Sequence, residues 1–154
     1  MRLYLDTSIF GGIFDDEFDD ASYRLIEAIK RGEYSVVVSP LIESEIETAP
    51  EYIQELLAAV LALPNAIRTE LAPEALKLRD AYLAEGILTE KYIDDATHVA
   101  LASINKCFAI VSWNFKHIVN FRRIPMYNRV INREGYDNIL IYSPLQFVAE
   151  EDET

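Results

Sequence analysis

Two apolar rhythms alternate along this chain. Short continuous runs, "RLYLD" (from Arg2), "YSVVVS" (from Tyr34), "FAIVS" (from Phe108) and "NILIYS" (from Asn138), carry aliphatic and β-branched residues without a polar face. Such runs predict strands buried on both sides. Between them the spacing changes to that of a helix: "SYRLIEAIKRG" places Leu25, Ile26 and Ile29 on one face, with Gly32 as its stop. Ser39-Pro40 predicts a capped helix start before "LIESEIE", and Pro50 opens "EYIQELLAAVLAL". "NAIRT" is a weak short strand. Pro73 begins "EALKLRDAYLAEG", closed by Gly86, and Thr89 is the expected cap of "EKYIDDATHVALASIN". Ser143-Pro144 starts a last short helix. The stretch from Trp113 to Gly135 has no clear period and is expected to hold a helical turn and a small extra strand.

Strands that alternate with helices predict a mostly parallel central sheet between two helical layers, a three-layer α/β/α sandwich. With no repeat, linker or composition break, residues 1–154 form one expected domain. In such folds ligands gather at the carboxyl ends of strands, where strand order reverses. Asp6 and "SWN" (Ser112 to Asn114) stand at those ends.

Composition narrows the class. Half the residues are hydrophobic (51%), which suits a folded core and excludes a disordered chain. No run is long enough to cross a bilayer, the N-terminus lacks a secretion signal, and Cys107 has no partner for an internal disulfide; a cytoplasmic location is expected. Cys107 reads as structural. The net charge of −12 opposes non-specific nucleic-acid binding. Its distribution qualifies that. Acids crowd "DDEFDD" and the "EEDET" tail, whereas no Asp or Glu occurs from Ala96 to Arg133, a segment with Lys106, Lys116, Arg122, Arg123, Arg129 and Arg133.

Four polar positions recur where the fold would place one sheet edge: Asp6 after the first strand, Glu45 in the helix after the second, Asp95 early in the fourth long helix, and Asn114 after the fourth strand. Carboxylates brought together raise one another's pKa, and a hard divalent cation relieves the repulsion. Asp6, Glu45 and Asp95 are therefore candidate ligands for Mg²⁺ or Mn²⁺, with Asn114 assisting, in a site suited to phosphodiester hydrolysis. Each also has a plainer role: helix cap, solvated face or turn.

"YLDTSIFGG", "VVVSPLIESEIE", "DDATHVALA" and "IVSWNFKHI", in that order, resemble the PIN-domain family, which includes the VapC-type toxins. The resemblance implies a metal-dependent endoribonuclease with RNA as substrate. It also implies the role of toxin in a toxin–antitoxin pair, with an antitoxin partner and a homodimer. The family's motif acids fall on Asp6, Glu45 and Asp95, and His98 matches the motif histidine. Asn114 stands where the family usually has an acid. Ser8, His98, Trp113, Lys116, Arg122 and Arg123 are the candidate substrate contacts. Trp113 or Phe115 is a candidate to stack on a base; core packing is the expectation for Phe115 and is equally open for Trp113. An alternative is a catalytically weakened module of the same fold that binds RNA or a protein. A response-regulator receiver would need an acidic pair after the first strand, and a dehalogenase-type phosphatase Asp-x-Asp; "LDTSI" has neither.

Overall fold

In the computed structural model, which describes residues 1–153, the apolar runs form five short strands. These are β1 (Arg2–Leu5), β2 (Ser35–Val38), β3 (Ala66–Arg68), β4 (Ala109–Val111) and β5 (Leu140–Tyr142). All pair in parallel, in the order β3-β2-β1-β4-β5. Leu3, Tyr4 and Leu5 of β1, Val36 to Val38 of β2 and Ala109 to Val111 of β4 are buried, as continuous apolar strands require.

Eight α-helices among the described residues cover the sheet: α1 (Thr7–Gly12), α2 (Asp19–Lys30), α3 (Pro40–Ile46), α4 (Glu51–Leu61), α5 (Pro73–Ala84), α6 (Ile93–Ile104), α7 (Arg123–Arg133) and α8 (Pro144–Glu153). They form two groups. In one, α1 packs against α2, α3 and α4, and α8 joins α2; in the other, α5 packs against α6 and α7. The chain builds outward from β1 to β3, then crosses back to β4 and β5. With right-handed crossovers this sends the two groups to opposite faces. The reversal lies between β1 and β4, so a crevice opens at their carboxyl ends. No helix among the described residues is long and apolar enough to cross a membrane.

Local chemistry explains several helix ends. Ser39 caps α3 by accepting from the Ile42 N–H at 3.4 Å, with Pro40 in the first turn. Gly32 (φ +81°) and Gly86 (φ +74°) close α2 and α5, with the amide of each glycine and of its successor bonded back into the last turn. The same closure after α6 falls on Lys106 (φ +55°), whose successor Cys107 donates to Ala102. A side chain in that conformation carries a strain that glycine lacks. Lys106→Gly is expected to stabilise the fold by about 0.5–1 kcal/mol. Thermal unfolding that shows no rise in Tm would contradict this.

Two expectations are corrected. Thr89 makes no side-chain cap; a 3₁₀ turn (Glu90–Tyr92) intervenes, and α6 begins at Ile93. The stretch Trp113 to Gly135 holds no strand among the described residues but a three-turn helix, α7. Pro125 masks it in the sequence. It is the third residue of α7, where the backbone N–H has no helical partner to lose. Tyr127, Val130 and Ile131 then bury one face.

Candidate active site

Tyr4 and Asp6 lie two residues apart, hence on one side of the first strand's path. Asp6 stands just beyond the carboxyl end of β1, its amide donating to Val111 of β4 at 3.2 Å. Only 4% of Asp6 is exposed. Burial without an ion pair would be costly, and two hydroxyls offset it: Ser8 donates to Oδ1 at 2.5 Å and Ser112 to Oδ2 at 2.7 Å. Burial still pushes the Asp6 carboxyl above its ordinary value, opposed by His98 and the two hydroxyls and reinforced by the charge of Asp95. Beside it the Thr7 hydroxyl is buried without a partner.

Glu45, near the end of α3, and Asp95, in the first turn of α6, are less enclosed; their side chains keep 32% and 23% of their exposure. Each carboxylate meets a histidine. His98 Nε2 lies 2.5 Å from Glu45, and His117 Nδ1 lies 3.1 Å from Asp95. A carboxylate only accepts, so those ring nitrogens carry protons. His98 Nδ1 lies 2.7 Å from the Tyr4 hydroxyl, which in turn lies 2.8 Å from Ser39 Oγ. A connected chain thus links Ser39, Tyr4, His98 and Glu45. Burial holds the Tyr4 phenol far above its usual range, so it stays protonated. Burial lowers the pKa of His117, against the pull of Asp95.

Asp95 and His98 act electrostatically on Asp6, and Glu45 is bonded to that same His98. The three acids do not form a ready-made cage. Among the described residues no three His, Cys, Asp or Glu side chains are grouped to hold one ion. Glu45 and Asp95 are each paired with a histidine instead. In donor chemistry the set suits a hard cation: carboxylate oxygens, one of them buried and raised in pKa beside a second acid.

Several expected substrate contacts take other roles. Trp113 is buried, donates from Nε1 to Ser22 at 2.8 Å and stacks on Phe18 at 4.2 Å. His98 is buried inside the relay. Ser8 is spent on Asp6 and on the Trp113 N–H, 2.9 Å away. Arg123 reaches the carbonyls of Ile87 and Lys116, bracing the chain. Lys116 and Arg122 are exposed as expected. Phe115, expected in the core, is 45% exposed. Asn114 accepts from the His117 N–H at 2.9 Å, the turn role. Buried Cys107, its thiol pushed up to about 12, is structural.

Sequence reading missed Tyr4. A tyrosine in an aliphatic strand needs a partner for its hydroxyl, which was a usable signal for Tyr4. His117, read as structural or substrate-facing, has its partner Asp95 22 residues away.

A PIN domain family model matches residues 3–115, a span that includes Asp6, Glu45, Asp95 and Asn114. No curated protein matches the chain in sequence. Among solved structures, VapBC2 from Rickettsia felis, bound to a DNA fragment from its promoter, aligns with a TM-score of 0.59 at 15% identity, covering 93% of this chain and 98% of that one. A toxin–antitoxin complex from Klebsiella pneumoniae aligns at 0.55 and 15% identity, covering 79% and 93%. VapC20 from Mycobacterium tuberculosis, a Sarcin-Ricin loop cleaving toxin, aligns at 0.54 and 13% identity, covering 90% and 98%. At these identities the likeness is one of fold.

Proposed function

Since this chain belongs to the PIN-domain family, we propose that it is a metal-dependent endoribonuclease, the toxin of a toxin–antitoxin pair acting in the cytoplasm. The observation that carries the reading is Asp6: a buried carboxylate at the switch point of a parallel sheet, held by two hydroxyls, with the charge of Asp95 acting on it and Glu45 bonded to the His98 that also acts on it. Asp6, Glu45 and Asp95 would hold Mg²⁺ or Mn²⁺, which when bound supplies an activated water and neutralises charge on the phosphoryl group. The rest falls to the chain. Ser8 and Ser112 orient the Asp6 carboxylate; Tyr4 and His98 fix Glu45; His117 fixes Asp95. An antitoxin partner and a homodimer belong to the same reading. For the latter α4 offers a surface: it buries Leu57 and Val60 but leaves Tyr52, Ala58 and Ala59 exposed.

A second reading is a module of the same fold with weak catalysis that binds RNA or a protein. Its support is Asn114, uncharged and engaged with the backbone of His117. One experiment separates the two. A loop-containing RNA is incubated with the protein in Mn²⁺ or in chelator, beside Asn114→Asp, whose carboxylate can still accept from the His117 N–H. The endoribonuclease reading expects cleavage by the unaltered protein in Mn²⁺ alone. Cleavage by Asn114→Asp only would establish the second reading, and cleavage in chelator would remove the metal.

A further inference from the structure

Large apolar side chains in water are informative when the backbone beneath them is fixed. Phe121 is 79% exposed and Phe115 is 45% exposed. Their segment is firmly tied. Asn114 accepts from Val119 through its carbonyl at 2.9 Å and from His117 through its side chain. Asn120 donates to the Phe115 carbonyl at 3.3 Å and accepts from the amides of Arg122 and Arg123. Arg123 donates to the Lys116 carbonyl, and the Tyr127 hydroxyl to that of His117 at 2.8 Å. Ile118 is fully buried and anchors the centre.

Cations accompany the exposed Phe121 ring and the half-buried Tyr92 ring. The Arg122 guanidinium lies 5.6 Å from the Phe121 ring centre. Lys91 and Lys116 lie 5.6 and 5.8 Å from the ring centre of Tyr92, and that ring lies 3.8 Å from His117. The segment lies in the stretch, Ala96 to Arg133, that contains no acid in a chain of net charge −12. It also leads straight from the acids, since Ser112 touches Asp6 and His117 touches Asp95.

We propose that Tyr92, Phe115, Lys116, Phe121 and Arg122 form a platform for single-stranded RNA, its bases stacked on the two exposed phenylalanines and its phosphates held by the flanking cations. Exposed aromatic faces interleaved with cations are what an unpaired strand offers a match for; a duplex hides its base faces. The inference rests on the nuclease reading for the identity of the strand and adds the surface that receives it.

The test is fluorescence anisotropy with a labelled 12-nucleotide single-stranded RNA in chelator, with RNA integrity checked on a gel. Phe121→Ala and Phe115→Ala are expected to weaken binding about tenfold each. Phe121→Trp should retain affinity, and Phe121→Leu should not. Lys116→Ala and Arg122→Ala should each make the dependence of log affinity on log salt shallower by about 0.7. Equal binding by all variants, with cleavage intact, would overturn the platform and leave the nuclease reading standing. Full affinity in Phe121→Leu would overturn stacking and point to a protein-docking patch. Neither binding nor cleavage by the unaltered protein would overturn both readings together. Unchanged Tm in the variants excludes unfolding as the cause.

Discussion

Replacing Asp6 by asparagine is expected to abolish metal-dependent RNA cleavage, a loss of about a hundredfold or more, while the protein stays folded. The two halves of this prediction have separate causes. Asparagine keeps the size of the side chain and an acceptor for Ser8 or Ser112, so the crevice keeps its shape. What disappears is the negative charge, which burial already makes unfavourable. The linkage follows. A carboxyl whose folded pKa is raised favours the folded state only while protonated, and that contribution is lost as pH rises through the folded pKa. At neutral pH the charged Asp6 therefore weakens the fold. Asp6→Asn should equal or exceed the parent in Tm at pH 7, and the gap should close as pH falls through the carboxylate range. Divalent metal should raise the Tm of the parent and not of the variant. Undiminished cleavage by a folded Asp6→Asn protein removes Asp6 from the mechanism.

The largest effect on stability is expected at Gly12. A Cβ there would stand 2.7 Å from Ser22 Oγ, 2.7 Å from Trp113 Nε1 and 2.9 Å from Trp113 Cδ1. The indole cannot yield easily, because it stacks on Phe18 and its Nε1 is bonded to that same Ser22 oxygen. Gly12→Ala is expected to cost about 2–3 kcal/mol, lowering Tm by roughly 5–10 °C. The neighbouring residue is the internal control. A Cβ at Gly11 meets nothing within 4 Å, so Gly11→Ala should be neutral or slightly stabilising. Equal Tm values for the two variants would show that the fit around Trp113 is not tight. Activity should fall in Gly12→Ala as well, since Trp113 sits between Ser112, which holds Asp6, and Asn114, which ties down His117.

The parallel sheet was legible because buried strands and half-buried helices write different periods into the chain. Five strands fall where apolar runs were read, and Ser39, Gly32 and Gly86 end or begin helices as read. The position of Asp6 was legible for the same reason, as an acid directly after such a run. Phe115 was read as core and is exposed, and Trp113, left open between core and stacking, is buried. Both follow β4, and nothing local says which ring faces the helices. That depends on Phe18 and Ser22 of a distant segment, which form the slot for Trp113.

By itself the sequence determined most of the elements and their parallel arrangement, because periodicity and turn chemistry act over a few residues. Only the tertiary structure decided what each acid touches. Ser112 reaches Asp6 across 106 residues, His98 reaches Glu45 across 53, and the exposed Phe121 stands on a segment tied down by Asn114 and Asn120. Hydrogen-bond partners are chosen by which side chains folding brings within about 3 Å, and that selection leaves no periodic trace in the chain.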